Sequence, residues 1–387
     1  MFGSKARLRR TGLAGAALLA LAGCVSAPQQ REGAVELVFP PPPDPPRFYF
    51  ERTILTTAEV EPPDEEELLR YMLTGTRTAR GVAFAKPFDV AVHEGRLFVS
   101  DTVRRVVYAL DFPEHRWFEI GNRGDNGDLA KPLGLAVDAA GNLYVVDGTQ
   151  KRVVIYDRDG NFLRAVGGMD ILDRPSHATP DPEGRRLYVV DTGGVSSQRH
   201  RIVVFDALTG EHLYDIGKRG VGDGEFNLPR DISWGPDGNL YVVDGGNFRV
   251  QVITPDGKFV RKWGQVGRRF GQFARPKGIA HDPDGNVYVA DAAFGNFQIF
   301  DPEGRLLMFI GERSETGGPA KYMLPAGITI DEDGRIYFVD QFFRKVDVFR
   351  PAGLAPDAGH LMREAAPKGE GKETAPAEGP GGTKAGG

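Results

Sequence analysis

Cysteine is almost missing. Cys24 is the only one in 387 residues, so the chain can form no intrachain disulfide, and without a Cys-x-x-Cys-His it cannot itself attach a c-type haem. Long apolar runs are missing as well: the run from Leu13 to Leu21 has nine residues, against the about 20 that a bilayer-spanning helix needs. No Gly-Lys-Ser phosphate loop, Gly-x-Ser-x-Gly elbow or His-Glu-x-x-His occurs. The usual sequence marks of nucleotide hydrolysis, acyl transfer and metalloprotease chemistry are therefore absent. Basic charge is in deficit, with 48 Lys and Arg against 53 Asp and Glu.

What is present is a repeat. Residues 226–264 read as one full unit: an apolar strand behind Pro229, a turn at Asp237-Gly238, a strand Asn239-Leu-Tyr-Val-Val-Asp244, a third strand from Arg249 to Ile253, a turn at Pro255-Asp256-Gly257, and a fourth strand from Phe259 to Trp263. Short apolar runs separated by Asp-Gly turns predict a four-stranded antiparallel meander. The proline recurs at 87, 132, 175, 229, 276 and 325, and an aspartate follows each by 14 to 16 residues, at 101, 147, 191, 244, 291 and 340. A lone meander has open edges and too little core, so six copies predict a ring: an all-β, six-bladed β-propeller.

Gly217-x-x-Gly220-x-x-x-Gly224-x-Phe226-x-x-Pro229, Asn239-Leu-Tyr-Val-Val-Asp244 and Asn247-Phe-Arg249-Val resemble the NHL repeat, and blade five repeats the pattern at Phe270-Gly-Gln-Phe273-Ala-Arg-Pro276 and Asn286-Val-Tyr-Val-Ala-Asp291. The resemblance extends over roughly residues 47–351. It implies the fold; NHL propellers include RNA binders, protein-binding sensors and a few enzymes, so it does not select a function.

Lys5, Arg7, Arg9 and Arg10 precede the apolar run, and Leu21-Ala22-Gly23-Cys24 follows it. A basic start, a short apolar run and small residues read as a secretory signal over residues 1–23. The final four resemble a bacterial lipobox, which implies cleavage before Cys24 and its lipidation. Val25 stands where an inner-membrane lipoprotein of that class often has aspartate, so the resemblance implies the outer membrane of a bacterial envelope. Without residues 1–23 the chain has 44 basic and 53 acidic residues, a net charge of −9, which argues against nucleic acid as a partner. Residues 24–46, carrying Pro28, Pro40 to Pro43, Pro45 and Pro46, read as an extended spacer.

Blade six supplies only three strands, from Met323 to Phe349, whereas Phe48 to Leu55 reads as a strand with no blade. The N-terminal strand is therefore expected to close the ring. Residues 64–75 predict a short helix with Leu68, Leu69, Met72 and Leu73 on one stripe, packing on blade one, capping the channel mouth or docking a partner. Residues 352–387 read as a tail beyond the propeller, and 365–387 contain no large apolar or aromatic residue, the composition of a disordered segment.

Features shared by all blades are expected to be structural. Phe98, Tyr144, Tyr188, Tyr241, Tyr288 and Tyr337, three residues before each aspartate, are expected to pack between blades, and the aspartates to accept turn N–H groups. Asp282-Pro-Asp284-Gly-Asn286 and Asp331-Glu-Asp333-Gly lack the distal ligands of an EF-hand and read as hairpin turns.

Three departures from repetition are the candidate sites. Arg105, Arg152, Arg201, Arg249 and Lys345, with Asn296 in blade five, open the third strands on one face; they either pair with neighbouring acids or form a docking ring for an anion or protein. The residue two after each proline should face the central axis: Asp89, His177 and Asp231 in three blades, Gly134, Gly278 and Gly327 in the others. The three polar residues could line a watery channel or bind one divalent metal. The six-bladed amidating lyase, which this fold resembles, puts zinc-binding histidines directly after the prolines; here those places hold Phe88, Leu133, Ser176, Arg230, Lys277 and Ala326. The third departure is the insertion Gly193 to His200 in blade three, either a tolerated surface loop or a binding loop.

The sequence thus points to a lipid-anchored envelope propeller, monomeric and without cofactor, acting as a non-catalytic platform for a protein or small ligand. The rival expectation is a metal-dependent lyase or lactonase-like enzyme working from Asp89, His177 and Asp231.

Overall fold

A proline at the start of a strand fixes φ and asks for no ladder donor. In the computed structural model the first strand of every blade opens at the repeated proline: Pro87, Pro132, Pro175, Pro229, Pro276 and Pro325. The structure describes residues 37–61, 69–70, 72–73 and 81–362. Five antiparallel four-stranded sheets cover residues 87–120, 132–167, 175–216, 229–263 and 276–310, each a simple meander. The sixth combines the three strands of 325–351 with Phe48–Ile54, which pairs antiparallel with Lys345–Pro351.

The closure expected from the unassigned N-terminal strand is therefore present, and one buried ion pair reinforces it. Arg335, wholly buried in blade six, donates Nε to Glu51 of the closing strand at 2.9 Å. The chain enters the fold earlier than expected, because Val38–Phe39 adds a short fifth strand against Phe48 and Tyr49, and Phe39 packs edge-on to Phe349 at 5.7 Å. Part of the expected spacer thus belongs to blade six. Residues 352–362 also differ from the expected loose tail: Arg335 Nη2 donates to Ala358 O at 2.7 Å, and Leu361 is buried. Residues 363–387 lie outside the described ones. So does most of the expected helix over 64–75; its described residues 69–70 and 72–73 are helical, with Leu69, Met72 and Leu73 exposed.

The core lies between blades. Six apolar clusters correspond to the six blade interfaces, the last joining blade six (Tyr337, Val339, Val346, Val348) to blade one (Val90, Leu97, Val99, Tyr108) across the closing Ile54. Each fully buried Val, Ile or Phe stabilises the fold by on the order of 2 kcal/mol, so no blade holds its shape alone. Phe98 and the five tyrosines three residues before the aspartates are all buried, as expected. Four of those hydroxyls donate to aspartates of the first hairpins, for example Tyr288 to Asp282 at 2.9 Å and Tyr337 to Asp331 at 2.9 Å.

The repeated aspartates are wholly buried acceptors. Asp101 takes N–H groups from Ala85, Lys86, Val103 and Arg104; Asp291 takes them from Ala274, Arg275, Ala293 and Phe294. Asp101, Asp147, Asp291 and Asp340 thereby tie the loop that enters the first strand to the loop that leaves the second, whereas Asp191 takes the N–H groups of Asp173 and Arg174 on the entering side. The Asp282 turn likewise has Oδ1 accepting from Asp284 and Asn286 N–H, with Gly285 at positive φ. These carboxylates serve their own hairpins.

Candidate functional site

Every first strand carries a register irregularity just after its proline. A bulge of this kind re-aims one side chain and releases a backbone N–H from the ladder. The ladder skips one residue after the proline in blades three and four and two in the others, and Asp89, His177 and Asp231 meet in the channel. His177 Nε2 lies 3.0 Å from Asp89 Oδ2, and its Nδ1 lies 2.8 Å from Asp231 Oδ1. The free carboxylate capacity goes to the next blade: Asp89 Oδ2 accepts Leu135 N–H of blade two at 2.8 Å, and Asp231 Oδ2 accepts Ile279 N–H of blade five at 2.9 Å. Two glycines make room for these side chains. A Cβ on Gly134 would lie 2.3 Å from the His177 ring, and one on Gly327 would lie 1.9 Å from Asp89 Oδ1.

Burial opposes charge on His177, but attraction and hydrogen bonding from Asp231 and then Asp89 outweigh it and raise its pKa to about 10. Burial also raises the Asp231 carboxyl, against the lowering pull of His177, so the axis holds an imidazole driven toward its charged form between two acids. The three residues do converge, but on each other. Because the carboxylates occupy opposite edges of the ring, one ion cannot be shared by all three without rebuilding the triad. Among the described residues no group of three or more His, Cys, Asp or Glu is arranged to hold a metal.

On the side where the first strands begin, the triad floors a cavity of about 290 Å³ lined by Lys86, Lys131, Arg174, Arg230 and Lys277 together with Phe88 and Leu133. Arg230 and Lys277 are half-buried, and the other three cations stand exposed at the rim. Burial pushes Lys277 down to about 8, helped by Arg230 and Arg275; burial and then Arg174 and Arg275 lower Arg230 as well. The opposite mouth, a cavity of about 350 Å³, mixes apolar residues with Asp138 and Asp181 and has no lysine or arginine in its lining. Its His281 is pushed by burial to about 4 and so is neutral at pH 7, with Nδ1 2.9 Å from Ser233 Oγ and the ring edge-on to Tyr241 at 4.3 Å. The two ends of one channel thus have different chemistry.

The arc expected at the third strands is not a ring of free cations. Arg249 is buried, donating to Asp244 at 2.8 Å and to the carbonyls of Val221, Gly222 and Glu225. Lys345 is buried against Asp347 at 2.5 Å and Gly318 O at 2.6 Å. Arg201 pairs with Asp215 and donates to Ile171 O at 2.6 Å, while Arg152 donates to Asp128 O at 3.2 Å. Asn296 is buried in the matching place of blade five. Arg105 is out of register: Val106 is the residue opposite Asp101, and Arg105 sits in the preceding loop at φ +62°. These side chains pin loops to blades.

The cations that do cluster were passed over in the sequence, where they flank the repeated prolines: Lys86, Lys131 and Arg174 before, Arg230 after, and Arg275 and Lys277 on either side of Pro276. Five blades of six carry the signal. In the blade-three insertion, His200 is buried, with Nε2 3.0 Å from Gly194 O and Nδ1 accepting Leu228 N–H at 3.2 Å, so the loop is fastened to blade four while Val195 is exposed.

Comparison with known proteins agrees with this geometry. The NHL repeat model matches residues 226–253 and 273–300. RING finger protein nhl-1 of Caenorhabditis elegans is 36% identical over 92 residues, which is 24% of this chain and 9% of that protein. The chain spans 9% and 33% of the length of two curated relatives it matches. Among solved structures, a protein of unknown function from Bacteroides thetaiotaomicron superposes with a TM-score of 0.57 at 17% identity, over 77% of this chain and 75% of that one. Virginiamycin B lyase from Staphylococcus aureus superposes with a TM-score of 0.51 at 12% identity, over 77% and 98%. At such identities the likeness is one of fold. The chain is a six-bladed β-propeller carrying NHL repeats.

Proposed function

We propose that this propeller is a non-catalytic binding platform, tethered to a bacterial envelope through a lipid on Cys24, with its ligand or partner engaged on a rigid face of the ring. The observation that carries this reading is the axial triad. Both nitrogens of His177 face carboxylates, and each carboxylate is held by a backbone N–H of a neighbouring blade. A group so engaged joins blades and is poorly placed to act as a free base or a shared metal ligand. The Leu-Ala-Gly-Cys24 sequence supports the tether.

Two measurements test the reading. In cells expressing the full chain, labelling with an alkyne fatty acid is expected to mark the wild type and not Cys24→Ala, which should also leave the membrane fraction; an unlabelled wild type would contradict the tether. Elemental mass spectrometry on purified mature protein is expected to find no stoichiometric metal in wild type or in His177→Ala. A near-stoichiometric metal lost on substitution would replace the platform with a metal-dependent lyase or lactonase.

A further inference from the structure

We propose that the basic mouth of the channel binds a small polyanion, a molecule carrying two or more carboxylate or phosphate groups, seated between Arg230 and Lys277 and reached by the rim cations of blades one to three. The proposal deepens the platform reading and rests on it.

The first argument is pairing. Four buried cations elsewhere in this protein have acids against them, Arg96 with Asp111, Arg249 with Asp244, Arg335 with Glu51 and Lys345 with Asp347, and a fifth, Arg350, donates to Leu354 O. At the channel mouth, Lys86, Lys131, Arg174, Arg230 and Lys277 have no ion-pair or side-chain hydrogen-bond partner among the described residues. The acids nearest them, Asp89 and Asp231, are engaged by His177 and by the N–H groups of Leu135 and Ile279. Half-buried cations facing one another are costly unless an opposite charge joins them. A mature chain of net charge −9 has acids to spare, yet none lines this mouth except the two committed to the triad.

The second argument is shape. The cavity of about 290 Å³ is floored by the triad, a size at the lower end of small-molecule sites. Cations converge from five adjoining blades, so one carboxylate could meet only some of them. Guanidinium groups of Arg174 and Arg230 suit the paired oxygens of carboxylate or phosphate, and lysines add point charges. Phe88 and Leu133 give one wall an apolar surface, against which a carbon skeleton can lie. Blade six brings Ala326 and Gly327 and no cation, so the basic lining has a single gap, at that blade.

Binding should also move a proton. With Arg230 and Arg275 beside it, and Asp231 and His177 beneath in their own pairing, Lys277 holds its proton weakly near pH 8; a bound anion favours the charged form. Uptake of a proton at that pH therefore accompanies binding.

The test is titration calorimetry on detergent-purified mature protein at constant ionic strength, with citrate and pyrophosphate as probes and acetate as the monovalent control. Citrate or pyrophosphate is expected to bind at least tenfold tighter than acetate; the stronger of the two assigns the ligand to polycarboxylates or to phosphates. Arg230→Gln and Lys277→Gln should each weaken binding at least tenfold, and Arg268→Gln, an equal charge change at an exposed site elsewhere, should leave it within twofold. Near pH 8 the wild-type heat should vary with the ionisation enthalpy of the buffer, and that dependence should vanish in Lys277→Gln. A circular dichroism melt of each variant separates lost binding from lost fold. Equal binding of acetate, equal weakening by all three variants, or binding only of a long polyanion such as heparin would overturn the site. None of these outcomes bears on Cys24 labelling or on metal content, so the pocket can fail while the platform reading stands.

Discussion

Two layers of one channel, a few residues apart along the same strands, treat charge in opposite ways. At the centre, Asp89, His177 and Asp231 neutralise one another and take up released backbone N–H groups. At the mouth, Arg230 and Lys277 face Arg174 and Arg275 with no acid between them, and their proton affinities fall. The repeat offers each blade the same slots beside its proline. A slot filled by complementary charges holds the ring together; a slot filled by like charges weakens the ring and leaves a demand for a ligand. Charge pairing, more than position, separates structure from function here.

The largest effect should come from breaking the centre. His177→Ala leaves two buried carboxylates without their cation, and removal of one partner from a buried pair costs about 3–5 kcal/mol; urea unfolding at neutral pH would measure it. A smaller loss, about 1–3 kcal/mol, is expected for Gly327→Ala, whose Cβ would collide with Asp89 Oδ1. At the mouth the sign reverses. Lys277→Gln removes a half-buried cation among cations and should leave the unliganded protein within about 1 kcal/mol of wild type, on the stable side.

The pH dependence sharpens the contrast. His177 has a raised pKa, about 10 against 6.5, so its contribution is complete below pH 6.5 and is lost as pH rises toward 10. Lys277 has a lowered pKa, about 8 against 10.5, so the unfolded chain binds the proton more readily between those values and stability gains as pH rises across them. The two slopes oppose each other between pH 8 and 10. Urea midpoints in that window should fall more steeply for Lys277→Gln than for wild type, and His177→Ala should lack the fall that begins above pH 6.5.

The fold was legible in the sequence because its signals repeat. Each proline opens a strand, each aspartate ends one and caps a loop, and the surplus strand Phe48–Ile54 closes blade six. Short or aperiodic pieces left no such mark: Val38–Phe39 is too brief to alternate, and residues 352–362 pack through backbone contacts with the buried Arg335. At the site, the convergence of Asp89, His177 and Asp231 followed from their shared place after the prolines, but the bulge that points them at one another does not show in residue types. The basic arc was misplaced in blade one because third strands begin five residues after the aspartate in most blades, which selects Val106 and not Arg105. The mouth cations were visible beside the prolines. Their lack of acid partners, which sets them apart from Arg249 or Lys345, is a fact of three dimensions.

The most direct measurement is urea unfolding of wild type, His177→Gln and Lys277→Gln at neutral pH, with the first and last repeated in citrate. The account predicts that His177→Gln loses stability, that Lys277→Gln does not, and that citrate stabilises wild type while leaving Lys277→Gln almost unchanged. If Lys277→Gln were destabilised as His177→Gln is, or if citrate stabilised it as much as wild type, the division between a structural centre and a binding mouth would be contradicted.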